Sequence, residues 1–354
     1  MAGFFFFSLG LGSVAADGSV PKPDFHEEEV ITKISFGACN DPRKGESPMY
    51  AAILKHQPQV FVFLGDNIYG DTHDMKVLQT KYGELGSQPG FVRLREKAKL
   101  LATWDDHDYG VNDGGKSYKM RVESQKIFLD FFGEPTDSPR RKREGVYFSH
   151  TFGGEGKRCQ FLVLDTRYFR DELPRAKEKP KKGTVGWYAP TDDRSKTLLG
   201  EVQWKWLEVQ LKVPADLRII CSSIQILAVE KGMENWGLVP HEQERLFRLL
   251  KKHDAGPVFG ISGDVHFAEL SRQDVGGGFF YDLTSSGMTN TSASWARAHN
   301  SFRVGQSHPV KNAGLIEIDW EAESLELAII NEKAEKILSE PLKFGELKLT
   351  GGGK

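Results

Sequence analysis

Cysteine is scarce in this chain: three in 354 residues, at positions 39, 159 and 221, too few to build a disulfide scaffold. An excess of either charge is missing as well. Lys and Arg number 47 against 49 Asp and Glu, for a net charge of −2, and the two signs are mostly interspersed, so there is no basic footprint for nucleic acid. The densest basic stretch, Arg140-Arg141-Lys142-Arg143, is short and follows Pro139, which reads as a solvated loop. No apolar run is long enough to span a bilayer. Several catalytic signatures are absent too: G-x-x-x-x-G-K-[ST], G-x-G-x-x-G after a strand, the G-x-S-x-G elbow and H-E-x-x-H. Asp165 in "VLDTRY" lacks the second aspartate that a phospho-aspartate phosphatase places two residues on.

What is present is a globular composition. An apolar share of 39% with 11% aromatics is enough for a sizeable core and excludes global disorder. Cys159 and Cys221 lie in the apolar runs "RCQFLVLD" and "RIICSSIQIL" and read as small core residues. The run Phe4–Val14 followed by Val14-Ala15-Ala16 has the length and small-residue end of a secretory leader, though no basic residue precedes it. Residues 1–16 are therefore expected to be a signal peptide and the protein extracytoplasmic, which the sequon Asn290-Thr291-Ser292 fits. Residues 17–29 read as a linker, 30–340 as one domain and 341–354 as a flexible tail.

Within the domain, strand-like and helix-like patterns alternate early and strands dominate late, which predicts one α/β domain with two packed sheets and outer helices. Strands are expected over 30–39, 59–66, 100–106, 217–227, 257–270, 277–286, 313–320 and 324–331. The runs "GVYFSHTF" and "RCQFLVLDTRYF" suggest a hairpin around "GGEGK". Helices are expected over 47–56, 91–100, 117–132, 200–213 and 241–253. Residues 171–197 are polar, proline-bearing and aperiodic, the kind of long connection that tends to lie near a site.

Four apolar runs end in side chains able to bind metal: "ISFGACND", "VFVFLGDNIYGD", "LLATWDDHD" and "VFGISGDVH". A fifth, "IICSSIQ", ends less acidically at Gln225. Taken singly, each is as compatible with a capped or solvated turn as with a ligand loop. "DDHD" is not a calcium EF-hand, since Gly110 falls where a third oxygen ligand belongs. Asp264-Val265-His266, read as extended chain, sends both polar side chains the same way. Sites in α/β folds form beyond the carboxyl ends of strands, and carboxylates gathered there repel one another unless a cation offsets them. The recurrence at four strand ends points to one or two bound metal ions.

In order along the chain, "GAC", "FLGDNIY", "ATWDDHDYGVND", "LDTRYFR", "SSIQ", "SGDVHF" and "LTSSGMT" resemble the PhoD-like alkaline phosphatases, a branch of the calcineurin-like metallophosphoesterases. The resemblance runs from about residue 33 to 290 and more weakly to 330. It implies a four-layer αββα sandwich, two mixed sheets flanked by helices, with a dinuclear metal site at one edge. Carried over motif by motif, it implies that Asp66 bridges both metals, that Cys39 binds one of them, and that Asp41 adds an oxygen. Tyr69 would bind a ferric ion through its phenolate, Asp106 the second metal, and Asp264 and His266 one metal each. His107 would face the phosphate, with Asp108 orienting it. Gln225 stands near the place of a metal histidine and is assigned to the substrate, as are Arg167 and Arg170 at the rim.

An oxygen-rich set suits calcium or magnesium, and thiolate with phenolate suits iron, so a mixed Fe3+–Ca2+ pair is the expected cofactor. Two metals about 3.5–4 Å apart can hold a phosphoryl oxygen and acidify a water. The implied activity is hydrolysis of phosphate mono- or diesters by a metal-bound hydroxide, with His107 stabilising charge or protonating the leaving oxygen. The expected partner is a small phosphate ester, not nucleic acid, with no transmembrane segment. Two rival readings are a metal-stabilised binding protein without turnover, which Asp66 and His107 speak against, and a nuclease, which the near-neutral charge speaks against for long polyanions.

Overall fold

The computed structural model describes residues 28–178 and 183–350. The expected leader lies outside the described residues. The chain forms two mixed β-sheets face to face with helices on both outer faces. Sheet one begins with β1 (Lys33–Gly37), β2 (Val60–Leu64) and β3 (Lys99–Thr103), all parallel. Sheet two holds β4 (Phe148–Phe152), β5 (Cys159–Val163), β6 (Leu217–Cys221), β7 (Val258–Ser262), β8 (Ala268–Asp274), β9 (Phe279–Ser285) and β10 (Arg303–His308). The chain then returns to sheet one with β11 (Asn312–Asp319), β12 (Ser324–Asn331) and β13 (Lys336–Lys343). The strand orders are β13-β12-β11-β1-β2-β3 and β10-β8-β9-β7-β6-β5-β4.

The layers follow from side-chain alternation. In β2, Val60, Val62 and Leu64 face the second sheet, where they meet Phe161, Val163, Ile219 and Phe259. Phe61 and Phe63 point the other way, as successive strand residues must. They pack on α1 (Met49–Lys55), α2 (Met75–Gly86) and α3 (Pro89–Lys97). The short turn α4 (Asp106–Tyr109) leads on to α5 (Arg121–Phe131) on the same face. Beyond sheet two, α6 (Gly200–Gln210) and α7 (Pro240–Lys252) bury Trp204, Leu207, Leu246 and Leu250 against Leu162, Ile220 and Val258. A last short turn, α8 (Ala293–Ala296), follows β9. Three apolar layers between four layers of structure make the expected αββα sandwich. Cys159 and Cys221 sit in its middle layer as free thiols.

Three expectations change. Residues 257–270 are not one strand: β7 ends at Ser262, and Asp264 and His266 take left-handed backbone (φ 72 and 58) before β8 begins. The residues from 341 to 350 are not a loose tail. Leu342 pairs with Leu325 in β13, and Leu347 and Leu349 are buried. Helix α2 and strands β10 and β13 escaped the sequence reading. The inward residues of α2 are only Leu78, Tyr82 and Leu85. The two strands are polar edge strands carrying Gly305 and Pro341, residues that weaken a strand pattern. Among the described residues no helix is long and apolar enough to cross a membrane.

Candidate metal centre

Parallel pairing in both sheets brings the carboxyl ends of β1, β2, β3, β6 and β7 to one edge of the sandwich. The loops leaving them are stitched together: Cys39 N donates to Gly65 O (3.3 Å), Asn40 N to Asp66 O (2.8 Å) and Gly263 N to Ser223 O (3.1 Å). Gly65, at φ +96, lets the loop pass the Asp105 backbone. A Cβ there would lie 2.5 Å from Asp105 Cβ and 2.6 Å from its nitrogen, so no other residue fits.

Among the described residues, four side-chain groups have ligand atoms within 4.8 Å of one another. They are Cys39–Asp66–His266, Asp66–Asp106–His107, Asp66–Asp105–Asp106–Asp264 and Asp106–Asp113–Glu234. Asp66 belongs to three of them, the position a bridging carboxylate needs. Tyr69 joins the first group: its hydroxyl is 3.2 Å from Asp66 Oδ2, to which it donates, and 3.1 Å from His266 Nε2. The Cys39 thiol lies 3.4 Å from Asp66 Oδ2 and 3.0 Å from Ser286 Oγ. The His266 ring is stacked on Trp295 at 4.6 Å and 10°, and its carbonyl accepts from Ser292 N. Cys39, Asp66, Asp71, Asp113, Asp264 and His266 all have φ between 45 and 72. Left-handed backbone is better tolerated by Asp and His but costs about 1–3 kcal/mol for a residue such as Cys, a cost the surrounding fold must offset.

The electrostatics fit bound cations. Burial, then repulsion from Asp106, Asp105 and Asp108, pushes the Asp66 carboxyl well above its ordinary range. Asp264 rises through burial and Asp105, and the Cys39 thiol through burial and Asp66. Asp66 Oδ1 and Asp105 Oδ2 are buried and accept no hydrogen bond from the described residues. Buried, mutually repelling carboxylates with open lone pairs are the donor set that a metal pair satisfies. The two histidines diverge. Burial and His107 lower His266 to about 4, which leaves it neutral, as a ligand must be. For His107, burial acts downward, but the Asp71 hydrogen bond and the nearby carboxylates outweigh it and raise it to about 9.

Several expected roles move. Asp108 does not hold His107. It is fully buried and accepts from Asp66 N (3.1 Å), Asp105 N (2.6 Å) and Asn67 Nδ2 (2.5 Å), so it orders the two ligand loops. His107 Nδ1 pairs with Asp71 Oδ1 at 2.6 Å. That pairing spans 36 residues, so the acid on His107 is not the one the family resemblance implied. Asp71→Asn should move the basic limb of the pH–rate profile to lower pH, because the amide no longer favours the imidazolium. Asp108→Asn should reduce thermal stability and leave that limb in place, as titration of rate and a melting curve on both variants would reveal.

Asp41 lies outside the metal groups and accepts from Arg43 through its backbone nitrogen (3.1 Å), Nε (2.8 Å) and Nη2 (2.9 Å). Gln225 is buried between Glu269 (2.8 Å), Thr284 (2.8 Å) and Lys231 (2.6 Å) and joins no ligand group. Arg167 and Arg170 are not at the rim. They are 0% and 1% exposed, with Arg167 paired to Asp105 (2.5 Å) and Glu234 (2.6 Å) and Arg170 to Glu234 (2.9 Å). The sequence leaves the role of Asp105 open between a supporting acid and a turn former, and it does not reveal Asp71 as the acid on His107 or Glu234 as a member of a ligand group. Glu234 sits in "GMENWG" with no pattern to mark it. The excursion over 171–197 does reach the site margin: Tyr188 donates to Asp113 Oδ2 (2.6 Å), and Asp113 N donates to Asp106 Oδ2 (2.7 Å).

Comparison with known proteins gives three likenesses. A family model described as PhoD-like phosphatase matches residues 34–313. Alkaline phosphatase D of Bacillus subtilis (strain 168) is 22% identical over 75% of this chain and 50% of its own length, so the chain spans about half of that curated relative. A solved structure of PhoD superposes with a TM-score of 0.71 at 17% identity, covering 92% of this chain and 70% of that one. That last likeness concerns the fold.

Proposed function

The chain belongs to the PhoD-like phosphatase family, and from that premise we propose that it is a metal-dependent hydrolase of phosphate mono- or diesters. The observation that carries the reading is Asp66, shared between a sulfur- and nitrogen-bearing group (Cys39, His266, with Tyr69 beside it) and an all-oxygen group (Asp105, Asp106, Asp264). These are two adjoining pockets of different softness. Thiolate, phenolate and imidazole suit Fe3+, and the carboxylate pocket suits Ca2+. When bound, such a pair supplies Lewis acidity toward phosphoryl oxygens and acidifies a water.

The chain's own residues do the rest. Asp105, Asp106, Asp264 and Asp66 hold the centre in place, and Arg167 offsets part of their charge from behind. His107 keeps its proton because Asp71 holds Nδ1, so Nε2 is the atom that offers a proton to the leaving oxygen or a hydrogen bond to the phosphoryl group. General acid help of this kind is worth roughly 10²–10⁴ in rate.

The test is elemental analysis with a visible spectrum on the protein as purified, run beside hydrolysis of p-nitrophenyl phosphate and its bis ester. The expected result is bound metal, a tyrosinate–iron absorption band, and turnover lost on chelation. Metal-free protein with unchanged turnover would overturn the reading.

A further inference from the structure

With Arg167 and Arg170 enclosed among carboxylates, an anionic substrate has to meet other cations. Two are exposed beside the centre: Arg43 and Lys44, on the 3-10 turn Pro42–Lys44 that follows β1. Arg43 lies over the Tyr69 ring, its Cζ 5.5 Å from the centroid, and the Tyr69 ring lies 4.2 Å from that of His107. The guanidinium does not swing freely. Its Nε and Nη2 are held by the Asp41 carboxylate at 2.8 and 2.9 Å, and its side chain is 51% exposed. The remaining amino group, Nη1, has no hydrogen bond among the described residues. Lys44 Nζ donates to Asn290 Oδ1, two residues past Met288, whose backbone nitrogen donates to Ala38 O. The turn itself is braced to the metal loop. Asp41 N donates to Thr289 Oγ1 (2.6 Å), and Thr289 Oγ1 donates to Cys39 O (3.0 Å).

A planar cation fixed on one edge by a carboxylate, with the other edge open, is preorganised for an oxyanion. Lys44 on the next residue adds a positive charge that the Asp41 carboxylate, paired with Arg43, does not offset. Resting on the phosphoesterase reading above, we propose that Arg43 and Lys44 bind the non-bridging oxygens of the phosphate ester and select monoester dianions over diester monoanions. Asp41 then acts as the buttress of Arg43, which is what its three hydrogen bonds describe. A monoester brings one more negative charge than a diester, and the Lys44 ammonium, which has no carboxylate partner among the described residues, rewards that extra charge while the open edge of Arg43 orients the oxyanion.

The experiment compares wild type with Arg43→Gln, Lys44→Gln, Arg43→Lys and the distant surface control Lys142→Gln. The readouts are kcat/KM for p-nitrophenyl phosphate and bis(p-nitrophenyl) phosphate, and calorimetric affinity for inorganic phosphate. Losing one charged hydrogen bond should cut monoester kcat/KM by roughly tenfold to a hundredfold and weaken phosphate binding in step. The diester should suffer much less, Arg43→Lys should recover part of the loss, and Lys142→Gln should behave as wild type. Equal losses on both esters with unchanged phosphate affinity would mean that the turn only supports the fold, and would overturn the proposal; so would no change at all. Wild-type protein inactive on both esters would sink the phosphoesterase reading instead. The phosphate affinities of wild type and Arg43→Gln would still decide this one.

Discussion

Replacing Asp66 by asparagine is expected to abolish turnover, with kcat lower by on the order of 10⁴, and to strip the protein of metal in elemental analysis. The side chain is 1% exposed and contributes to three of the four ligand groups found among the described residues, so no neighbour can take over its place in all three. The same substitution should act in the opposite direction on the metal-free protein. There the Asp66 carboxyl is pushed above its ordinary value of 3.8 by burial and by Asp106, Asp105 and Asp108. An acid whose folded value is raised binds more protons folded than unfolded, so metal-free stability falls as pH rises above about 3.8 toward the folded value. The amide that replaces it carries no charge to bury. Melting curves of chelated protein should therefore show the variant more stable than wild type at neutral pH, with a flatter pH dependence. With metal restored the order should reverse. A metal-loaded variant with wild-type kcat would remove the basis for a bridged pair.

Arg167→Leu should strongly destabilise the fold. Its guanidinium is fully buried, 2.5 Å from Asp105 and 2.6 Å from Glu234. Removing it leaves the buried Asp105 carboxylate without its cation and Glu234 with Arg170 alone, and breaking such a pair costs about 3–5 kcal/mol. Chemical denaturation should register that loss directly. Glu234→Gln, which keeps Arg167 on Asp105, should cost less. If Arg167 were instead a phosphate contact at the rim, Arg167→Leu would raise KM and leave the denaturation midpoint in place. That outcome would overturn the buried-ladder account.

Much of the site is legible in the chain order alone. Cys39, Asp66, Asp106, Asp264 and His266 each stand just past an apolar run, and all five are found in the ligand groups. The alternation in "VFVFL" and "FLVLD" carries the layer structure, because strand side chains alternate whatever surrounds them. These are local properties, set by a few consecutive residues, and local order is what a linear pattern encodes.

The pairings were not local. Asp71 on His107, Arg167 on Asp105 and Glu234, Asp41 on Arg43 beside Tyr69, and Gln225 turned inward to Lys231 and Glu269 depend on which loop lies over which once two sheets have closed. Whether an arginine meets solvent or a buried carboxylate is a matter of desolvation, and desolvation is a property of the whole packed volume. The family resemblance implied Asp108 for His107, but the helical turn α4 carries Asp108 away into the backbone amides of Asp66 and Asp105. The amino-acid sequence by itself determined the apolar runs and the chemistry placed at their ends. Only the tertiary structure decided which of those groups face one another, because charge pairing acts through space and the chain order does not record it.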